Sequence, residues 1–416
     1  MKPLFVSTFD TYGGAARAAY RLHQGFRKSG VDSRMFVQEK HSDDWTVTGP
    51  DSKWAYLQGK IRANSDTLPL LIYKKRQKVF FSTSFLPDNI QNFIQTSNPD
   101  IIHLHWIAYG FLKIETLSRL AKPIVWTLHD MWPFTGGCHY SGDCHRYEGH
   151  CGNCPQLCSD NQRDLSRWNI MRKEKSWKSL PLTIVSPSNW LAECARRSTL
   201  FNGLSIEVIP NGIDLKRFAP TDNRLCRELL GLPHDVKLIL AGAMDWTSDE
   251  RKGFKYLLQT LRNLKSKAEL VILGGGEPAV SIDLGIPVHY LGRLDDEVSL
   301  ALAYSAVDIF VSPSKEENLS NMLVEALACA VPCVSFRVGG MIDLIDDGVT
   351  GFLVNPLDSV SLAAKMDLLL MDDNLRHNMS CAAREKAERE FDLNRIVGSY
   401  EKVYLEALRN SGKASR

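Results

Sequence analysis

Short β-rich apolar runs alternate with helical patterns along this chain, in two series separated by a single break. In the first series the runs are Leu4–Phe9, Arg34–Val37, Asp100–His105, Ile124–Leu128 and Leu182–Ser186, with a helical stretch Ala15–Lys28 behind the turn Gly13-Gly14. In the second they are Val236–Ala241, Glu269–Leu273, Val288–Leu291, Ile309–Ser312 and Val331–Phe336, with helices expected at Gly253–Leu264, Asp295–Ser305 and Asn321–Ala330. A strand that is followed by a helix returns to the sheet in the same direction, so such alternation argues parallel sheets covered by helices on both faces. The chain is therefore expected to form two doubly wound α/β domains facing across a cleft, with ligands at the carboxyl ends of the strands. The break is Ile209-Pro210-Asn211-Gly212-Ile213-Asp214, a cluster of turn formers. It sets an N-terminal domain at 1–205 with a cysteine-rich insert at 136–158, and a C-terminal domain at 206–385. Terminal helices at 386–416 are expected to pack back on the N-terminal domain.

Composition removes several function classes. Fifty Lys and Arg stand against 48 Asp and Glu in 416 residues, so no bulk charge points to a nucleic-acid partner. An apolar fraction of 44% excludes a disordered chain. No apolar run reaches the roughly 18–20 residues that span a bilayer. The start, Met1–Gly14, breaks its apolar stretch at Ser7 and runs into a glycine turn, unlike a secretory leader, so a cytosolic protein is expected. No G-x-G-x-x-G follows the first strand, and no phosphate-binding Walker loop or nucleophile elbow occurs.

One segment departs from the alternation. Lys53–Lys78 carries seven basic residues against one acid, Asp66, with Trp54, Tyr56, Tyr73, Phe80 and Phe81 in it or just beyond. Basic residues mixed with aromatics suit contact with anionic lipid at the inner face of a membrane through 53–81. A solvated helical face with its other side buried fits the same residues.

The sharpest chemical signal runs from Ser312 to Pro332. It follows a strand, opens a helix near Ser320 or Asn321, and ends where the next strand begins. Glu317 sits on the loop and Glu325 one or two turns into the helix, with seven residues between them. A loop carboxylate beside the free N–H groups of a helix start can hold hydroxyls while the amides hold an anion. An ordinary amphipathic helix with an exposed glutamate has the same spacing.

Here the chain resembles the retaining glycosyltransferases of family 4, which have the GT-B fold of two Rossmann-like domains. They carry Glu-x7-Glu ahead of a segment like Glu325-Ala326…Ala328-Cys329-Ala330…Pro332. The resemblance continues through Gly13-Gly14-Ala15-Ala16-Arg17, Thr127-Leu128-His129-Asp130, Val185-Ser186-Pro187-Ser188 and Val208–Asp214. It extends over Arg251-Lys252-Gly253, Leu273-Gly274-Gly275-Gly276-Glu277, Leu291-Gly292-Arg293, Val338-Gly339-Gly340 and Asp347–Val354. It implies that Glu325 holds the ribose of a nucleotide-sugar donor and Glu317 the sugar hydroxyls, with backbone amides from Leu319, Ser320, Asn321 and Met322 beside sugar and phosphates. Lys252 would sit on the diphosphate leaving group with Arg251 next to it. His129 would lie across the cleft near the donor sugar, and Gly13 and Gly14 would let the first turn approach phosphate or acceptor. Fixed cations and N–H dipoles aimed at a departing diphosphate lower its barrier. Three positions depart from the family pattern. Ala243 stands where an arginine is usual, Glu317-Asn318-Leu319-Ser320 replaces a glycine- and phenylalanine-rich loop, and Ala330 replaces a glycine. With no Asp-x-Asp in the chain, no metal cofactor is expected for catalysis.

The reading that follows is transfer of a hexose-type sugar from a nucleotide-diphosphate donor to a saccharide or lipid-linked saccharide, with retention. The setting expected is bacterial exopolysaccharide or lipopolysaccharide biosynthesis. A nucleotide-sugar epimerase of the same fold and a non-catalytic scaffold of a polysaccharide assembly complex are the alternatives.

Five of ten cysteines fall between Cys138 and Cys158. Cys138, Cys144, Cys151 and Cys154 include one C-x-x-C pair, a spacing that suits a structural zinc site. A reduced packed loop and two disulfides are the other readings. The stretch Trp132–Cys138 followed by spaced cysteines also resembles a subgroup of bacterial polysaccharide-assembly transferases.

Overall fold

The computed structural model describes residues 1–50, 52–243, 249–275 and 283–414. They form two compact units, Met1–Pro210 with Ile396–Arg416, and Asn211–Arg395.

The first unit is built on β1 (Pro3–Phe9), β2 (Arg34–Glu39), β3 (Val47–Thr48), β4 (Ile101–Leu104), β5 (Ile124–Thr127), β6 (Leu182–Ser186) and β7 (Ile206–Val208). Their order in the sheet is β3-β2-β1-β4-β5-β6-β7, all parallel. The central strands are covered on both faces, which is why they read as unbroken apolar runs; Ile124, Val125 and Trp126 of β5 are fully buried. The strand order reverses between β1 and β4, where Pro3 pairs with Ile101 and Val6 with Leu104. Connections leave this switch point in opposite directions and open a crevice at the strands' carboxyl ends.

The chain ends in two helices, Asp373–Glu390 and Leu393–Ala414. Asp392 separates them, its carboxylate accepting from the N–H groups of Asn394 and Arg395. From Ile396 onward the last helix belongs to the first unit. Tyr404 bonds through its hydroxyl to His103 Nδ1 at 2.6 Å, and Tyr400 to Thr127 Oγ1 at 2.8 Å.

The second unit has β8 (Lys237–Ala243), β9 (Ala268–Gly274), β10 (Val288–Gly292), β11 (Ile309–Ser312), β12 (Cys333–Phe336) and β13 (Gly351–Val354). The order is β10-β9-β8-β11-β12-β13, again all parallel. Alternation along β8 and β9 feeds both faces. Leu238, Leu240, Val271 and Leu273 enter one buried cluster, and Ile239, Ala241, Leu270 and Ile272 the other. The switch point lies between β8 and β11, so the loop after β11 is the one the topology exposes to a ligand.

Candidate active site

In the second unit the loop 313–320 connects β11 to the helix Asn321–Ala328. Ser320 caps that helix, its hydroxyl accepting from the Leu323 N–H at 3.3 Å. Two glycines let other backbone close on the loop. Gly253 has φ +72° and a Cβ there would lie 1.9 Å from the Pro313 carbonyl oxygen; Gly339 has φ +50° and a Cβ would lie 2.0 Å from that of Glu317. The Gly340 N–H donates to the Glu317 carbonyl at 3.0 Å, and the Lys315 N–H to that of Arg251 at 2.8 Å.

This framing puts the Glu317 side chain, 8% exposed, against two cations. Lys252 Nζ donates to its Oε2 at 2.5 Å and Arg251 approaches the same oxygen at 3.4 Å. Arg251 is itself held by Asp249 at 2.8 Å and by the Glu316 carbonyl at 3.1 Å. Burial pushes the Glu317 carboxyl up, but the charges of Lys252 and Arg251 and their hydrogen bonds outweigh it and hold it below its usual range. The site residues Glu317, Lys252 and Arg251 thus form one ionised cluster.

Glu325 lies buried on the same helix and accepts a hydrogen bond from the Tyr304 hydroxyl at 2.8 Å. Leu319 is buried and Met322 packs on the unit's core, so their side chains fix the helix start. Asn321 Oδ1 accepts from Asn211 Nδ2 at 2.8 Å, tying the helix to the chain break at Pro210. Ala243 closes β8, where its backbone pairs with Gly274. Gly276 and Glu277 of the glycine-rich run lie outside the described residues.

In the first unit Gly13 caps the helix Gly14–Lys28 after β1. His129 follows β5, and its Nε2 lies 2.9 Å from Nδ1 of His105. The other nitrogen of His105 is buried with no partner. A buried N–H without an acceptor is costly, so the favoured tautomer puts the His105 proton on Nδ1, donating to His129. His129 then carries its own proton on Nδ1. Burial lowers the His129 pKa to about 4, with Asp130 opposing, so the ring is neutral at pH 7. Asp130 accepts from Trp106 Nε1 at 2.7 Å, from the Trp132 N–H at 2.9 Å and bonds His139 Nδ1 at 2.6 Å. It braces the loop that leads from His129 into the insert.

The insert corrects one expectation. Cys138, Cys144, Cys151 and Cys154 line a common cavity with Phe81, Tyr147 and Ser166, and all are free thiols. Among the described residues no three His, Cys, Asp or Glu side chains are grouped so as to hold a metal ion. The structural zinc expected on these four cysteines is not supported by the donor geometry, nor are two disulfides formed. Burial pushes the Cys151 thiol up to about 12 and raises Cys138 and Cys154 too.

Sequence reasoning leaves His105 as structural and gives no site role to Tyr304 or Asn211. Their types are common in buried strands, helices and turns, and only the fold shows that they touch His129, Glu325 and Asn321.

Comparison with known proteins places the chain in a family. Residues 12–217 match the family model described as Glycosyltransferase Family 4, and 235–372 that described as Glycosyl transferases group 1. A D-inositol 3-phosphate glycosyltransferase of Xylanimonas cellulosilytica is 34% identical over 325 residues, covering 74% of this chain and 72% of that protein. The chain belongs to glycosyltransferase family 4, a retaining family that uses nucleotide-sugar donors. Its fold is GT-B. The sucrose-phosphate synthase structure from Thermosynechococcus elongatus superposes with TM-score 0.69 at 19% identity, over 99% of this chain and 100% of that one. Anabaena HepE in complex with UDP gives 0.64 at 17% identity, over 98% and 100%. Among the described residues no helix is long and apolar enough to cross a membrane.

Proposed function

We propose that this chain transfers a hexose-type sugar from a nucleotide-diphosphate sugar to a saccharide or lipid-linked saccharide, with retention of configuration, in bacterial surface-polysaccharide assembly. The observation that carries this reading is the ionised cluster of Glu317, Lys252 and Arg251 on the loop after β11, at the second unit's switch point. In this reading Glu317 accepts hydrogen bonds from sugar hydroxyls. Lys252 is drawn from Glu317 towards the diphosphate as negative charge develops on it, and Arg251 supplies the second cation where Ala243 provides none. Amides of Leu319 to Met322 meet the sugar and phosphates at the helix start. Glu325, held by Tyr304, orients the ribose. His129 contributes a neutral N–H donor rather than an acid. In the front-face displacement, the bond from the anomeric carbon to the diphosphate oxygen breaks as the acceptor hydroxyl oxygen bonds to that carbon. The hydroxyl proton passes to the leaving phosphate. The resemblance of the Trp132–Cys154 stretch to polysaccharide-assembly transferases supports the setting.

A thermal-shift panel with UDP, GDP, ADP, TDP and CMP and their sugar conjugates tests the donor site. A ligand at a hundred times its dissociation constant stabilises by about 2.7 kcal/mol, and one base is expected to do so. No shift with any of them in folded protein overturns the reading. Product analysis with saccharide, lipid-linked saccharide and inositol phosphate acceptors then separates the acceptor classes.

A further inference from the structure

We propose that residues 53–80 form a docking surface for an anionic lipid membrane. Eight of the 23 exposed large apolar side chains among the described residues fall between Trp54 and Phe80. On the helix Lys53–Ser65, Trp54, Leu57 and Ile61 recur at intervals of three and four, so they share one face, and that face is the one in solvent. Trp54 is 76% exposed. The opposite side is anchored. Ala63 is buried, and Arg62 donates to the carbonyls of Gly110 and Phe111 at 3.1 and 3.4 Å. The helix is therefore held by small and polar residues, with its large apolar residues outward.

The next turn repeats the pattern. In the 3-10 helix Leu68–Ile72, Leu70 packs with Phe81, Cys154 and Leu157. Tyr73 accepts from the Leu165 N–H at 2.9 Å, and the Gln77 N–H donates to the Gln156 carbonyl at 2.8 Å. These contacts fix the register that leaves Leu71 69% and Ile72 75% exposed. Packing thus specifies the exposure; it is not the looseness of a frayed loop.

Within 53–80 the exposed charges have one sign. Lys53, Lys60, Lys74, Lys75 and Lys78 are all exposed. The single acid, Asp66, is buried with its carboxylate turned to the Thr83 N–H and hydroxyl. Large apolar side chains held in solvent along one segment mark an interaction surface. Exposed apolar side chains interspersed along the chain with lysines match the acyl boundary and headgroups of an anionic bilayer. A second copy of the chain fits poorly, because pairing the face with itself opposes lysines to lysines. The proposal stands apart from the catalytic reading and needs no sugar transfer to be tested.

The test is co-sedimentation of the full chain with phosphatidylcholine vesicles, with and without phosphatidylglycerol, at low and high salt. Binding is expected only with phosphatidylglycerol, and weaker at high salt. The variant Lys74→Gln/Lys75→Gln/Lys78→Gln should bind on the order of a hundredfold more weakly, about fivefold per charge. Leu71→Ser/Ile72→Ser should also lose binding with an unchanged melting temperature, while Val360→Ser/Met371→Ser, exposed on the second unit, should not. Failure of the folded protein to sediment with anionic vesicles overturns the proposal, as does binding unaltered in both 53–80 variants. A dimer in light scattering that Leu71→Ser/Ile72→Ser dissolves, or an acidic protein held through this face in place of vesicles, overturns it as well.

Discussion

A carboxylate taken out of water needs its charge met, and Glu317 meets it with the side chain proposed to serve the leaving group. Lys252 therefore does two things at once, and a Lys252→Met variant separates them. The methionine keeps the length of the side chain without the charge, leaving Glu317 with Arg251 at 3.4 Å and with the full effect of burial. The Glu317 carboxyl then rises. In the unaltered chain it stays ionised to below its usual range. In the variant it takes up a proton at higher pH, so the acid limb of donor binding should move up. Turnover should fall by about 10²–10³ for the loss of a cation at the developing charge. Titrating the donor dissociation constant against pH, beside turnover at saturating donor, reads both. Unchanged turnover removes Lys252 from the site, and an unmoved limb means that Lys252 does not set the charge of Glu317. At the same scale, Glu325→Ala should raise the donor dissociation constant tenfold or more while leaving turnover at saturation within a few-fold, as expected of a group that binds substrate and transition state alike.

Elements were legible in the sequence where local chemistry sets them. Ser320 ahead of an apolar helix, glycines at positive φ and unbroken apolar strands each act within a few residues. The strands β7 and β13 and the two-residue β3 were not legible, because pairing with a neighbour defines them more than their own three or four residues do. In 53–80 the basic and aromatic content was plain, but which side is buried depends on contacts with Gly110, Leu165 and Gln156, far along the chain. The same holds for the cysteines: spacing suggested a ligand set, whereas burial and packing decide what the thiols do. One departure from the family pattern is explained by its element. The helix Asn321–Ala328 ends with the Val331 N–H donating to Ala326 and the Ala330 N–H to Leu327, the paired bonds of a left-handed cap. Ala330 has φ +59° there, a conformation that crowds its Cβ. Ala330→Gly should relieve that strain and stabilise the second unit by about 0.5–1 kcal/mol net of glycine's greater freedom when unfolded. Scanning calorimetry should show its transition rising by about 2–4 °C, and a fall would mean that the cap is not strained.

The two units differ in how acid should affect them as whole bodies. Three buried histidines, His23, His103 and His105, and the half-buried His129 lie in the first unit, and loss of water around the ring lowers each, His23 and His129 to about 4. A histidine near 6.5 when unfolded and near 4 when folded binds more protons unfolded throughout that window. Its contribution to stability is complete above 6.5 and is lost as pH falls towards 4. For His23 and His129 this amounts to about 2 kcal/mol each between pH 7.5 and 5, and His103 and His105 act in the same sense. Glu39 and Asp66, which burial raises, work against it. Lys173, lowered by burial to about 7, has its effect above that pH and adds little below. The histidines outnumber the opposing carboxylates, so the first unit should weaken on acidification. Eight of the nine tryptophans precede Pro210, so tryptophan fluorescence reports mainly this unit. Its urea midpoint should fall from pH 7.5 to 5, and His23→Gln should flatten the slope by about one histidine's share even though the variant begins less stable. A midpoint independent of pH would mean that these rings are hydrated, and the argument that His129 acts as a neutral donor would fall with it.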